Sequence, residues 1–300
     1  MWSNNQERGP AEASFRREES RPVYLQTQTD KAQGTVFSNQ IVNLNLLHTL
    51  SKKGGQLTAD IDIGQFTQEF SNTLLTQTLL SEEPLQPLNG LLNQMPTTIN
   101  IRTFKADYNR SFPKSWKMEA GLKISSVRSD NKMSLSSGPQ ENLQPDLSLS
   151  NHFQYNEQVG AAYLSFSGKV FAKTGLQVGL RAEQTHSVGN SINLNTKVIR
   201  DYLNLFPSLF MSRPLTKNHS LAFSYSRRID RPNYQQLNPA RGYIDPYAFS
   251  RGNAYLRPQY THSLELKHEY KNKIFTSVGA SYIDEFVFFL ITGQNRRGIK

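Results

Sequence analysis

Two groups of residues in this chain have types that could carry out chemistry. Asp60 and Asp62 lie two positions apart, and two carboxylates on one face of a strand can act as a general acid and a general base. The six histidines could bind a metal, but no pair has the HExxH spacing of a metalloprotease. They are His48, His152, His186, His219, His262 and His268. The sequence has no nucleophile elbow, dinucleotide-binding motif or phosphate-binding loop, so we predict no catalytic residue, metal site or cofactor.

A third group of residues has types that bind ligands. Residues 230–258 are rich in arginine and tyrosine, the types that dominate binding hot spots through planar donors and rigid amphipathic rings. Four prolines and two glycines punctuate the segment, which favours an ordered loop over a central strand. The candidate contact residues are Arg231, Tyr234, Asn238, Arg241, Tyr243, Tyr247, Arg251 and Tyr255. The alternative is that these side chains only fold the loop and face lipopolysaccharide.

In the elements that position these residues, apolar and polar side chains alternate with a period of two, which is the period of a β-strand. Four stretches show it clearly: 57–64, 117–124, 176–183 and 263–270. Of the 32 positions, the 16 on one face contain no Asp, Glu, Lys or Arg, whereas 10 of the 16 on the other face are charged. Asp60 and Asp62 belong to this charged row, which favours a structural role for them over paired catalysis.

Such a clean apolar row is typical of a membrane barrel. A lipid-facing Lys or Arg costs about 2–4 kcal/mol at the bilayer midplane, whereas the opposite row faces a wet lumen that tolerates charge. We therefore predict that Leu57, Ile61, Leu122, Val178, Leu180 and Leu264 face lipid. The residues predicted to face the lumen are Asp60, Asp62, Glu119, Lys123, Arg181, Glu183, Glu265 and Lys267. We expect these acids and bases to pair across strands.

Ten strands follow from the alternation. They are predicted near 35–48, 56–66, 97–109, 117–127, 152–167, 175–187, 199–212, 219–229, 259–270 and 274–283. Short connections alternate with long ones at 67–96, 128–151, 188–198 and 230–258, which is the loop pattern of outer-membrane barrels. The predicted fold is all-β: an antiparallel up-and-down transmembrane barrel wall, forming an open partial barrel with edges near 35–48 and 274–283.

Composition sets further limits. The chain is 37% hydrophobic and has no run of about 18 apolar residues, which excludes a helical span. Cysteine is absent, so there is no disulfide framework or thiolate metal site. The net charge is +10, but the basic residues are scattered, so anionic headgroups and lipopolysaccharide are expected partners and nucleic acid is not. The N-terminus shows no signal peptide, which an exported protein needs.

Several motifs resemble a known family. The stretch from Tyr155 to Tyr282 contains LQVGLRAEQTHSVGN, LFPSLF, LAFSYSRRIDRPNYQQLNP and GNAYLRPQYTHSLEL. These are similar to segments of the outer-membrane β-barrels of TonB-dependent receptor-like proteins of Gram-negative bacteria. Ala254 stands where the family usually has proline, Gln259 where it has glutamate, and Ala240 where an aromatic residue is common.

The resemblance implies a location in the outer membrane, a plug domain inside the barrel, a TonB complex as partner, and uptake of a nutrient rather than catalysis. It also implies that the loop candidates contact a ligand or the plug. We expect residues 34–300 to be a barrel segment truncated at both ends, with residues 1–33 as a lead-in of loop or partial strand. Two alternatives stay open: a passive or structural barrel such as an adhesin scaffold, and a soluble carbohydrate-binding β-protein.

Overall fold

The computed structural model describes residues 3–16, 24–51, 55–80, 88–171, 173–245 and 247–292. These residues form fourteen strands, a short helix and a 3-10 turn at Pro113–Ser115. The strands are β1 (Ser3–Arg16), β2 (Tyr24–Ser51), β3 (Gly55–Leu80), β4 (Asn89–Phe112), β5 (Trp116–Pro139), β6 (Gln144–Pro145), β7 (Asn151–Val170), β8 (Thr174–Ser191), β9 (Thr196–Pro214), β10 (His219–Asp230), β11 (Arg241–Tyr243), β12 (Phe249–Arg251), β13 (Gln259–Tyr270) and β14 (Ile274–Asp284). The helix is α1 (Tyr234–Leu237). In these ranges no helix is long and apolar enough to cross a bilayer.

Twelve of the strands form one antiparallel sheet. Neighbours follow chain order from β1 to β5, then β7 to β10, β13 and β14, while β6 pairs with β5. Strands β11 and β12 form a separate hairpin inside the long connection between β10 and β13. Within the described ranges β1 and β14 are each paired on one side only, so the sheet is an open barrel wall. This confirms the predicted all-β, up-and-down architecture.

The predicted edge near 35–48 is confirmed except for its first three residues. Strand β1 pairs with residues Tyr24 to Phe37 of β2, so only the remainder of β2, from Ser38 to Ser51, has an unpaired side among the described residues. The other predicted edge, β14, is confirmed.

Three of the four long connections predicted from the sequence are mostly strand. Strand β3 continues to Leu80 and β4 begins at Asn89, while β5 continues to Pro139 and β8 to Ser191. Strand β2 has 28 residues and is therefore about 90 Å long, whereas crossing a bilayer takes only about 9–11 residues. The hairpins extend well beyond the membrane-crossing length. The fourth connection, predicted at 230–258, is a folded loop that spans residues 231–258.

The apolar row changes face along these strands, and this hid the extended hairpins from the sequence pattern. In the first half of β3, near Gly55, the large apolar residues are Leu57, Ile61 and Ile63, at odd positions. Further along β3, Phe66, Phe70 and Leu74 lie at even positions and Leu75 at an odd one, and Leu74 is buried. Phe70 and Leu74 therefore share the side of β3 that carries Asp60 and Asp62, so the strand continues while its polarity inverts.

Candidate functional site

The strand register decides which side chains share a face. From Asp60 the register passes to Lys105, Lys123, Ala161 and Glu183 on successive strands. It continues through β9 and β10 to the acids and bases of β13. All eight residues predicted to face the lumen therefore lie on one side of the sheet, here named the charged face: Asp60, Asp62, Glu119, Lys123, Arg181, Glu183, Glu265 and Lys267.

The opposite side of the sheet, here named the apolar face, carries the six residues predicted to meet lipid. They are Leu57, Ile61, Leu122, Val178, Leu180 and Leu264, and each exposes between 37% and 57% of its surface. Large apolar side chains this exposed, in a continuous band across many strands, need an apolar partner outside the chain.

The charged residues pair differently from the expectation. Arg181 binds Glu183 and Lys267 binds Glu265, so the partners lie two positions apart on one strand rather than across strands. The register explains this difference, because Arg181 stands opposite Tyr163 on β7 rather than opposite an acid. Asp60 and Asp62 instead accept hydrogen bonds from Asn45 and Asn43 of β2. These two carboxylates are lining residues of the charged face.

The folded loop, residues 231–258, is held together from within. Helix α1 has a capping box, in which the Asn233 side chain accepts from the backbone of Gln236 and the Gln236 side chain accepts from the backbone of Asn233, both at 2.9 Å. The segment after β12 then packs on α1. Gly252 N–H donates to the Asn238 carbonyl at 3.0 Å, and Asn253 N–H donates to the Gln236 carbonyl at 2.7 Å.

Arg231 fastens the start of the folded loop to the charged face. Its Nη2 donates to Glu183 Oε2 at 2.7 Å and to Thr185 Oγ1 at 3.0 Å, and the Arg231 and Glu183 side chains are only 22% and 10% exposed. Burial works to lower the pKa of Arg231, but its contacts with Glu183 and Tyr202 outweigh burial and raise it. The guanidinium is therefore a permanent cation, and this ion pair is an anchor.

Asn238 fastens the middle of the folded loop through a chain of amide groups. Its Nδ2 donates to Asn131 Oδ1 on β5 at 3.1 Å, and its Oδ1 accepts from Asn151 Nδ2 on β7 at 3.3 Å. Asn131 in turn donates to Thr97 Oγ1 at 2.7 Å, and Asn151 accepts from Ser191 Oγ at 2.7 Å. The chain spans four strands of the wall, and buried amides satisfied in this way specify one docked position.

An apolar cluster completes the anchor. Leu237 of α1, Phe153 and Tyr155 are 3%, 2% and 8% exposed, and Tyr234 and Leu256 pack against them. Burial raises the pKa of the Tyr234 hydroxyl, so this ring stays neutral. The crevice left between the folded loop and the wall has a volume of only about 10 Å³. Around Leu237 the folded loop therefore leaves almost no space against the wall.

Sequence reasoning missed several anchoring residues on the wall. Arg200 of β9 donates through Nη2 to the carbonyls of Ala254 and Leu256. Asn131 and Asn151 were also not singled out. Arg200 lies on the charged face because it stands opposite Ser187 of β8, a pairing across strands that the sequence alone does not give. Asn131 and Asn151 fall in a segment that was predicted to be a loop, so they were not assigned to a face.

The structure divides the eight loop candidates into two sets. Arg231, Tyr234 and Asn238 face the wall and belong to the anchor. The side chains that stay exposed are Arg241, Tyr247, Arg251 and Tyr255, with Tyr243 half-buried. The first set holds the loop in place, and ligand contact by the second set stays a prediction.

Two larger cavities adjoin the sheet. One, of about 400 Å³, lies on the charged face between β2, β3 and β4, with Phe37, Phe66 and Ile99 as its apolar walls. The other, of about 610 Å³, lies where β9 and β10 are no longer paired above Ser208 and Ser226, and Arg200 and Arg257 line it. Among the described residues, no group of three histidines or acids lies close enough to hold a metal ion.

Family comparison agrees with this geometry. A sequence model of the outer membrane protein β-barrel family matches residues 48–298, most of the chain. The chain belongs to this family. This confirms the predicted resemblance at the level of an outer-membrane barrel and places the protein in the Gram-negative outer membrane. The location excludes the soluble carbohydrate-binding alternative. No curated protein matches the chain.

Solved structures of similar fold include two transporters and an uptake receptor. The barrel matches the ferric citrate transporter FecA (12% identity, TM-score 0.45, 91% of this chain and 50% of that one). It matches the copper transporter OprC with 11% identity and a TM-score of 0.49, over 95% of this chain and 54% of that one. It also matches the ferric yersiniabactin uptake receptor FyuA of Yersinia pestis with 10% identity and a TM-score of 0.42, over 94% of this chain and 49% of that one. The chain spans about half the length of these structures.

Proposed function

We propose that this chain is part of the wall of a TonB-dependent receptor-like protein that binds a nutrient at the extracellular mouth and takes it up across the outer membrane. The folded loop supports this proposal most directly. It is fixed to the charged face by Arg231, Asn238 and Leu237, while its exposed arginines and tyrosines stay available. A loop that narrows the lumen and presents binding residues suits a selective receptor better than an open pore.

The proposal includes partners and faces. The apolar face contacts lipid and, at the outer leaflet, lipopolysaccharide. The charged face encloses the lumen, where a plug domain would meet the lower side of the folded loop, and a TonB complex would supply energy. Residues 34–300 would form one barrel segment, with residues 1–33 leading into it. No catalytic step is assigned to any residue.

A passive or structural barrel is the second candidate, and the long hairpins favour it. Strands such as β3, of 26 residues, are about 85 Å long and extend far beyond what a membrane crossing needs. Projecting hairpins could present an adhesive surface. The two proposals differ in energy dependence, since uptake driven by TonB stops when the inner membrane is de-energised, whereas adhesion and passive diffusion do not.

Solute depletion by living cells tests the proposal. Cells producing the complete protein and a matched deletion strain are grown in defined medium, and depletion of solutes is followed with and without a protonophore. We expect at least one solute to be removed faster by the producing strain, and only without the protonophore. Equal depletion by both strains, or depletion that survives the protonophore, contradicts the proposal. In the second case the barrel is passive.

A loop variant gives the matched control. Replacing residues 241–251 with a Gly-Ser linker removes Arg241, Tyr243, Tyr247 and Arg251, but leaves Tyr255 and the anchor residues in place. We expect uptake to fall to the level of the deletion strain while the amount of heat-resistant folded barrel in the outer membrane stays unchanged. Full uptake by this variant would show that the loop is architectural.

A further inference from the structure

The β11–β12 hairpin places two arginines directly opposite each other. Arg241 is in register with Arg251, and Tyr243 with Phe249, so the four side chains share one side of the hairpin, here named the arginine face. The Arg241 guanidinium carbon lies 4.9 Å from the centroid of the Phe249 ring, which in turn lies 5.8 Å from that of Tyr243. Two cations and two aromatic rings are thus combined on a few residues.

This arrangement costs stability, because like charges directly opposite each other on antiparallel strands repel. The other two arginines of the folded loop have acid partners, Arg231 with Glu183 and Arg257 with Glu285. No ion pair to Arg241 or Arg251 is found within the described part of the chain.

The nearest acid in the sequence does not relieve the repulsion. Asp245 is the single acid between the two arginines, and its Oδ1 accepts the N–H groups of Tyr247 and Ala248, both at 2.7 Å. That carboxylate oxygen closes the turn of the hairpin. The charge of the arginine face is therefore left for a partner outside the chain.

The position of the hairpin indicates what kind of partner it meets. Asn72 Nδ2, on the charged face of β3, donates to the Tyr243 carbonyl at 3.2 Å and ties the hairpin to that face. Lipopolysaccharide would lie against the opposite side of the sheet, beside the apolar face. Arg241, Phe249 and Arg251 are exposed, so a solute entering along the charged face can reach them.

We propose that Arg241 and Arg251 together bind a solute that carries carboxylate or phosphate oxyanions, with an apolar part of the solute against Phe249 and Tyr243. An oxyanion between the two guanidinium groups removes their repulsion and accepts planar, bidentate hydrogen bonds. The aromatic rings supply a stacking surface beside it. This inference rests on the proposed receptor function and names the chemical class of its substrate.

Equilibrium binding to isolated outer membranes containing the complete protein tests this inference. The probes are radiolabelled citrate, inorganic phosphate and pyrophosphate, and membranes of the deletion strain give the background. We expect saturable binding of at least one probe. Arg241→Gln or Arg251→Gln should weaken it about tenfold, and the double variant about 100-fold. A double Lys variant should lose less, since it keeps the charge but not the bidentate geometry.

Arg213→Gln is the matched control. Arg213 is exposed and lies near the end of β9, whereas Arg200 near its start contacts the folded loop. The same change in net charge at Arg213 should therefore leave probe binding unchanged. Absence of saturable binding for all three probes overturns the inference. So does unchanged binding by the double variant, or a loss of bound lipopolysaccharide with probe binding retained, which would assign the arginines to a lipid headgroup.

A stability measurement separates binding from a structural role. Removing one arginine relieves repulsion, so chymotrypsin cleavage at Tyr247 and Phe249 without a probe should become no faster. Faster cleavage would mean that the arginines hold the hairpin together, which contradicts the inference. Binding needs no energy source, so probe binding without energy-dependent uptake refutes the receptor function alone. Uptake without any dependence on Arg241 and Arg251 refutes this inference alone.

Discussion

At the scale of single residues, Arg231 has the clearest consequence. Its hydrogen bonds to Glu183 and Thr185 join the folded loop to the wall, and hydrogen bonds to charged groups contribute about 1.5–3 kcal/mol each. We predict that Arg231→Ala raises the undocked population of the loop about 30- to 150-fold, from a loss of about 2–3 kcal/mol. The measurement is the rate of trypsin cleavage at Arg241 and Arg251 in intact outer membranes.

Arg257→Ala is the control for that prediction. The ion pair of Arg257 with Glu285 is largely exposed, with side chains 74% and 44% accessible. Exposed pairs contribute at most about 1 kcal/mol, so cleavage should accelerate less than about fivefold. Equal acceleration in both variants would mean that Arg231 does not anchor the loop.

At the scale of elements, the contact between α1 and the segment after β12 depends on Gly252. A Cβ there would lie 2.5 Å from the carbonyl oxygens of Asn238 and Gln236, which cannot give way without moving the helix. We predict that Gly252→Ala destabilises the docked loop by about 1–3 kcal/mol. Hydrogen exchange of the amides of residues 235–238 should accelerate accordingly.

Gly242→Ala provides a comparison within the same loop. A Cβ at Gly242 meets only the Ser250 carbonyl oxygen, at 3.8 Å, which is ordinary van der Waals contact. Exchange of the same amides should therefore stay as in the natural protein. If both variants behave alike, crowding at Gly252 is not what holds the segment against α1.

At the scale of the whole molecule, the two faces of the sheet can be told apart with single cysteines, since the chain has none of its own. In the complete protein in cells, we predict that Lys123→Cys and Arg181→Cys react with a membrane-impermeant thiol reagent. Leu122→Cys and Leu180→Cys, on the apolar face, should react at least about tenfold more slowly because lipid covers them. Equal labelling of neighbouring positions would contradict the assignment of the faces.

The sequence by itself determined the wall of the barrel. Lipid tolerates almost no charge, so each membrane-facing row had to be apolar, and the rows at Leu57, Leu122, Val178 and Leu264 predicted the strands and their faces. Proline and glycine in residues 230–258 likewise predicted an ordered loop. These features are local, because they depend only on the strand period and on backbone restrictions.

Only the tertiary structure decided the extent of the hairpins and the roles of the loop residues. Above the bilayer no lipid constrains the outer face, so the polarity of β3 inverts between Ile63 and Leu74, and the alternation alone reads as a loop. Arg231 and Arg241 are both arginines of the same proline- and tyrosine-rich segment, so the sequence does not distinguish their roles. One is buried against Glu183 and the other is exposed opposite Arg251 because of strand register and loop docking, which are set by contacts between residues far apart in sequence.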